Sequence, residues 1–211
     1  MSVHTPASIR WAQEARRGRR RLYPVTLVYS AASLAALVLA ARASAPAALV
    51  SWALGVGFWT WVEYMVHRYV LHGVFPDGRG LRHLTHVLFD HLHVEHHKRP
   101  WDGNHINGTL KDTGPFLLPL FALALLLPPQ TLLAFLAGLV QAYVVEEWVH
   151  HSVHYYQFDN RYFRYIKAHH MYHHSRKGQE RGYGLTSGMW DAVYDTRFPA
   201  EVRQALYRRR A

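Results

Sequence analysis

The 211-residue sequence predicts an all-α integral membrane protein with four transmembrane helices, or two spans plus a short hairpin, and a helical cap on one side. Three observations lead there. Residues 23–41, 47–62, 115–127 and 131–145 form four apolar runs without a charged residue. Threading all four through a bilayer leaves 23 of the 24 Lys and Arg on one side, with only Arg42 opposite. The same threading puts all 17 His on that side, although hydrophobicity alone defines the runs. By the positive-inside bias that side is the cytoplasm, so the cap and both termini are expected there.

Residues 1–22 are polar and basic, with six Arg from Arg10 to Arg21, and read as a solvated cytoplasmic segment. The first run has 19 residues, close to the ~20 that cross a bilayer. After a short turn at 42–46, the second run continues into Glu63 through His72, with Glu63 and His67 on one helix face. Gly and Pro mark a loop at 73–80. Residues 81–97 read as one helix, followed by a polar, Gly-containing loop over 98–114. The third and fourth runs, separated by Pro128-Pro129-Gln130, are each short for a span and pair as a hairpin, two tilted spans or one that stops partway. The expected organisation is the basic segment 1–22, a membrane-embedded domain over 23–200 and a basic tail over 201–211.

The net charge is +10. Its placement serves topology and anionic lipid, which removes the need for a nucleic-acid partner. The absence of Cys excludes disulfides and thiolate ligands, so a bound metal is held by nitrogen and oxygen.

The histidines carry the chemistry. His93-x-x-His96-His97 places three imidazoles within five residues, and His170-x-x-His173-His174 repeats the pattern. His150 and His154 are four apart on one helix face; His67 and His72 are five apart, which is not one α-helical face, so His72 is expected at the helix end before Gly73. Ten nitrogens are too many for one ion and fit two metals with five each, iron or zinc. Spacing alone does not exclude His151 and His169, whereas His4, His83, His86, His91 and His105 are isolated and read as structural. The pattern is not His-Glu-x-x-His, so a zinc protease is not indicated. Metal-bound His commonly donates its other N–H to a carboxylate or carbonyl. Glu63, Glu146, Glu147, Asp90 and Glu95 are near enough in sequence to serve. Tyr64, Tyr69, Trp101 and Trp190 are candidates to line a lateral access path.

These motifs resemble the fatty acid hydroxylase / sterol desaturase superfamily. The resemblance rests on Glu63-Tyr64-x-x-His67-Arg68-x-x-x-His72, His93-x-x-His96-His97-Lys98-x-Pro100-x-Asp102-Gly103, His150-x-x-x-His154 and Lys167-Ala168-His169-His170-x-x-His173-His174, closed by Gly184-Leu185-Thr186-Ser187-x-x-Trp190-Asp191. It covers about Trp52 to Phe198 and is nearest to the fatty acid 2-hydroxylases. It implies that His67, His72, His93, His96, His97, His150, His154, His170, His173 and His174 are the ligands, leaving out His151 and His169, with Asp191 among the supporting carboxylates. Two departures stand out. Residues 1–22 cannot form the haem electron-carrier domain that eukaryotic members often carry, and Asn104-His105-Ile106-Asn107-Gly108 leaves the family pattern.

The resemblance implies a non-haem diiron monooxygenase in the bacterial inner membrane or endoplasmic reticulum, with zinc able to occupy the same site in purified samples. Its partners would be a membrane lipid substrate, O2 and a separate electron-transfer partner, a haem or iron–sulfur protein with its reductase. Two alternatives remain at this stage: a carotenoid or sterol hydroxylase or desaturase of the same chemistry, and a His-rich membrane metal-binding or transport protein. The apolar runs offer few polar residues for an ion path, which weighs against the last.

Overall fold

The computed structural model describes residues 10–73, 78–87, 91–126, 130–202 and 204. Every regular element among them is a helix. Helix α1 (Trp11–Ala41) has 31 residues and runs unbroken from the Arg-rich segment into the first apolar run. The expected solvated segment is therefore helical from Trp11, since Arg, Ala, Gln and Glu are good helix formers. One face of it is packed: Glu14, Ala15, Gly18 and Leu22 are buried. Helix α2 (Ala45–Met65) starts where Ser44 accepts from the Ala47 N–H and Pro46 occupies the first turn. It passes directly into a π-helical turn, Val66–Leu71.

The helix expected over 81–97 is described as two pieces, α3 (Leu81–Thr85) and α4 (His91–Lys98). Residues 88–90, with Asp90, lie outside the described residues, as do 127–129 with Pro128 and Pro129. Helix α5 (Leu110–Leu126) begins before the third apolar run and contains Pro115 and Pro119. Helix α6 (Gln130–Tyr155) follows, then α7 (Arg161–His173) and the short α8 (Met189–Val193). Among the described residues three helices are long and apolar enough to cross a membrane: α1, α2 with its π turn, and α6. At 17 residues, α5 is about 26 Å long, short of the ~30 Å hydrocarbon core.

Helix α6 is the pivot of the bundle. Its Leu139, Val140, Tyr143 and Val144 form a buried cluster with Val25 and Tyr29 of α1 and Leu117 of α5. Helices α2 and α6 meet backbone to backbone. A Cβ on Gly138 would strike the Trp52 carbonyl, and one on Gly55 would strike that of Phe135. Small residues at a crossing allow this approach between membrane helices. The outward faces are apolar and exposed, among them Leu27, Leu34, Leu49, Leu54, Leu118 and Leu125. With the three long apolar helices, they make this an integral membrane protein.

Tight packing at Gly138 predicts that Gly138→Ala lowers stability by about 1–3 kcal/mol. Thermal unfolding in detergent measures this. Gly57→Ala, where an added Cβ meets nothing within 4 Å, is the control and is expected to be neutral or mildly stabilising. An unchanged unfolding temperature for Gly138→Ala contradicts the close approach.

Candidate metal centre

Four chain segments converge at one end of the bundle. The first is the π-helical turn. The His72 N–H donates to the His67 carbonyl five residues back, at 3.1 Å. This wider turn carries a five-residue spacing onto one face, and the two rings lie 5.1 Å apart. The separation expected from an α-helical period is corrected by the local helix type. The second segment is α4, where His93 and His97 share a face and His96 points to another group. The third is the end of α6, with His150 and His154. The fourth is α7, which starts at Arg161 because the Asn160 side chain caps the Phe163 N–H at 2.8 Å. Lys167 ties α7 to the end of α6 through the carbonyls of Val153 and Tyr156, both at 2.8 Å.

The ten imidazoles sort into two groups of five: His67, His72, His93, His97 and His173, and His96, His150, His154, His170 and His174. Within each group the donor nitrogens lie within 4.8 Å of one another. Each triple divides between the groups. Helix α4 gives two imidazoles to the first and one to the second; residues 170–174 do the reverse. The groups touch where His97 stacks on His174, with centroids 4.3 Å apart. All five members of the second group are buried, whereas His72 and His97 leave the first partly open.

The convergence is through Nε2. In the first group the Nε2 pairs are His67–His93 at 3.2 Å, His93–His72 at 2.9 Å, His72–His173 at 3.0 Å and His173–His97 at 3.2 Å. In the second they are His150–His96 at 3.1 Å, His154–His170 at 2.8 Å and His174–His170 at 3.0 Å. The Nδ1 of His67 and of His173 donate to the carbonyls of Tyr183 and Arg181. A carbonyl only accepts, so the proton is on Nδ1 and each Nε2 presents a lone pair. Lone pairs packed this closely repel unless a cation lies among them. For a metal–nitrogen bond of about 2.1 Å, neighbouring ligands at right angles are about 3.0 Å apart and tetrahedral ones about 3.4 Å. The observed spacings match the former, as in a five- or six-coordinate site. The donor set is all imidazole, which suits iron or zinc.

The imidazoles outside the spanning helices are held neutral, the state that binds metal. Burial, then neighbouring imidazoles, pushes His93, His96, His170 and His174 well below the usual histidine range. The same causes bring His97 to about 2, while burial brings His173 to about 3 and His72 to about 4.

Of the six candidate supporting carboxylates Asp90 lies outside the described residues, and the other five are placed differently from expectation: among the described residues none of their hydrogen bonds reaches one of the ten imidazoles. Glu63 accepts from the Leu185 N–H, the Thr186 N–H at 2.8 Å and the Thr186 hydroxyl at 2.6 Å. Asp191 accepts from the N–H groups of Tyr183 and Gly184, both at 2.9 Å, and from Thr196 Oγ1 at 2.7 Å. These two acids fix the 183–186 segment, whose Tyr183 carbonyl orients His67. Glu146 accepts from Trp59 Nε1 at 2.9 Å. Glu147 accepts from Asn107 Nδ2 at 2.6 Å and the Tyr143 hydroxyl at 2.7 Å. Glu95 faces Lys98 at 2.9 Å and Arg99 at 2.6 Å, whose hydrogen bonds lower its carboxyl to about 2. Backbone carbonyls take the orienting role for His67 and His173, and no residue-type signal marks a carbonyl in advance.

His169 is buried with Nε2 3.1 Å from Asp191, and His151 is buried beside Gly18 among Trp148, Tyr155 and Tyr156; neither joins a group. His83, His86, His91 and His105 also lie outside both groups, and His105 faces Asp102 at 2.9 Å. His4 is outside the described residues. Asn107, in the stretch that leaves the family pattern, is a buried clamp on Glu147. Of the aromatic residues expected along an access path, Tyr64 is fully buried and stacked on Tyr194, whereas Tyr69 is exposed. Trp101 and Trp190 are half-buried, the latter donating to Thr60 at 3.0 Å.

Residues 52–196 match the fatty acid hydroxylase family. Dihydroceramide fatty acyl 2-hydroxylase FAH2 of Arabidopsis thaliana is 37% identical over 145 residues, 68% of this chain and 59% of that protein. Fatty acid 2-hydroxylase of Mus musculus is 29% identical over 156 residues, 72% of this chain and 41% of the relative. The chain thus spans about half the length of the curated relatives it matches. A solved structure described as full-length scs7p, with only the hydroxylase domain visible, superposes with a TM-score of 0.70 at 26% identity, covering 84% of this chain and 67% of that one.

The carboxylate contacts separate two substitutions. Glu95→Gln is expected to change stability by less than about 1 kcal/mol, because the pair is near the surface. Its depressed carboxyl makes that small contribution present above pH ~4 and lost as the pH falls towards ~2. Metal content, read by elemental analysis, stays at the wild-type value. Asp191→Asn is expected to cost about 3 kcal/mol and to lower retained metal. Equal metal content in both variants contradicts the role given to Asp191.

Proposed function

The chain belongs to the fatty acid hydroxylase family, and on that footing we propose that it is a membrane-bound non-haem diiron monooxygenase hydroxylating a lipid acyl chain at the carbon next to its head. The observation that carries the reading is the pair of five-imidazole groups at the ends of the membrane helices. The relatives named as fatty acid and dihydroceramide fatty acyl 2-hydroxylases supply the substrate class and position. His67, His72, His93, His97 and His173 would hold one iron; His96, His150, His154, His170 and His174 would hold the other. A bound iron pair supplies O2 activation with two externally delivered electrons and two protons, leaving one oxygen in the alcohol and one in water.

The protein's own residues do the rest. The Tyr183 and Arg181 carbonyls hold the His67 and His173 rings in one orientation and tautomer. Burial of the second group excludes water from that side, and the half-exposed His72 and His97 leave the first open to an acyl chain. Exposed Val66, Tyr69 and Val94 offer apolar surface near that opening.

The site supports a reading of the topology. His93 to His97 precede α5 and His150 to His154 end α6, yet they serve the same groups. Helix α5 must therefore return the chain to the far end of α6, although it is short for a span. This even parity, with the basic excess, favours a cytoplasmic site and cytoplasmic termini. A separate electron-transfer protein would then reach the site from the cytoplasm.

Lipid mass spectrometry of expressing cells tests the proposal. An acyl lipid heavier by one oxygen is expected with the wild type and lost with the His96→Ala/His173→Ala pair, which removes one imidazole from each group. An unchanged lipid profile, with verified expression and a working electron donor, would sink the reading.

A further inference from the structure

All five imidazoles of the second group are buried, so an electron that enters there must cross protein. Among the described residues one ring other than an imidazole is in ring contact with that group: Tyr155, 6.5 Å from His154 between centroids. Tyr155 is half-buried at the end of α6, and its hydroxyl donates to the Trp101 carbonyl at 3.1 Å. Its ring lies 4.8 Å from His151 and meets Trp11 edge-on at 6.4 Å. Trp11, the first residue of α1, is 48% exposed. Two ring contacts therefore lead from the surface to an imidazole of the buried group.

The surface at the outer end of this path is basic. Arg10 precedes Trp11, and Arg16 and Arg17 are exposed on the following turns, Arg17 with Glu14 at 2.7 Å offsetting part of its charge. The helix that carries them is held firmly against the site. The Gly103 N–H donates to Glu14 at 3.0 Å, Arg19 bonds the Tyr156 hydroxyl, and a Cβ on Gly18 would strike the His151 ring. Residue 11 stands about 18 Å along the helix from residue 23, where the apolar run begins, and residue 16 about 10 Å. The field of an anionic bilayer fades within about 8–10 Å at ordinary salt. A soluble partner therefore fits Trp11 and Arg10 better than a lipid head does, whereas Arg20, nearer the apolar run, is placed to meet lipid.

The more open first group faces the acyl chain in the reading above, so a donor docked there would compete with the substrate. An entrance on the side of the buried group removes that conflict. We propose that the rim formed by Trp11, Arg10 and Arg16 is the docking surface of a small acidic one-electron carrier protein, and that the Trp11–Tyr155–His154 contacts are its electron path. The inference rests on the monooxygenase reading above and deepens it by giving the partner's charge and its point of entry. Each docking event delivers one electron as the carrier's reduced iron centre is oxidised, and two events supply the two electrons that the reaction consumes. Opposite charge steers the carrier to the rim and sets its orientation there. The competing occupant is an anionic lipid surface.

The full-length, iron-loaded protein in neutral phosphatidylcholine nanodiscs tests this, with an acidic [2Fe–2S] ferredoxin as the probe. Two quantities are read: ferredoxin affinity, and the anaerobic rate at which saturating reduced ferredoxin is oxidised. Arg10→Glu/Arg16→Glu is expected to weaken binding about tenfold at low salt, and the difference shrinks as salt rises. Trp11→Leu is expected to slow the saturated rate about fivefold or more, with Trp11→Phe, which keeps a ring, between it and wild type. Dithionite, small enough to enter at the open first group, is expected to reduce every variant at the wild-type rate. Slow reduction by dithionite too marks a damaged metal site and overturns the path; if Trp11→Leu does not fold, Trp11→Phe decides it by its own slowing. Unchanged affinity in the arginine variant overturns the docking surface. So does weaker binding to phosphatidylglycerol vesicles with ferredoxin affinity unchanged, which assigns the arginines to lipid. Hydroxylated lipid formed while Trp11→Leu keeps the wild-type rate faults the path and leaves the reaction standing. Ferredoxin oxidised through Trp11 with no oxygen-added lipid faults the reaction and supports the port.

Discussion

Lone pairs from two sets of imidazoles aimed at two small volumes are the constraint that the rest of the molecule answers. Nitrogens near 3 Å apart repel when each carries a lone pair, so the arrangement needs rigid walls and a cation. The walls come from burial, which keeps the rings neutral, and from carbonyls that take the Nδ1 protons of His67 and His173. No thiolate contributes, because the chain has no Cys.

The bundle brings the donors together across long sequence separations. Helix α6 is the fixed member; its Gly138 and the facing Gly55 let α2 approach at backbone distance. That approach aligns the end of α2, with its π turn, beside the end of α6. The buried acids then secure the connecting segments. Glu63 and Asp191 fix residues 183–186, and Glu147 holds Asn107 of the loop after α4. They stabilise the site at one remove, by preventing the segments around it from shifting.

Helix α1 takes part in the same closure. Glu14, buried in its first turns, accepts from the Gly103 N–H at 3.0 Å, and Arg21 reaches the Asn107 carbonyl at 3.4 Å. Arg19 bonds the Tyr156 hydroxyl beyond the end of α6. The basic N-terminal turns are thus a packed cover over the 99–109 loop, with Arg16, Arg17 and Arg20 left outward.

Apolar run length and charge bias made the helical membrane architecture legible from the sequence, and His periodicity located the donor segments. Those properties are local: four-residue spacings such as His93/His97 and His150/His154 define a face whatever surrounds them. The sequence did not decide the extent of α1, the split of each triple between the groups, or the pairing of His67 with His72. The last needed a π turn, whose five-residue hydrogen bond depends on how α2 ends against its neighbours. Nor could it decide which acids touch which loops, or why His151 and His169 stay outside both groups. Those outcomes depend on where side chains meet after the bundle forms, and a carbonyl such as that of Tyr183 gains its role only from that tertiary position.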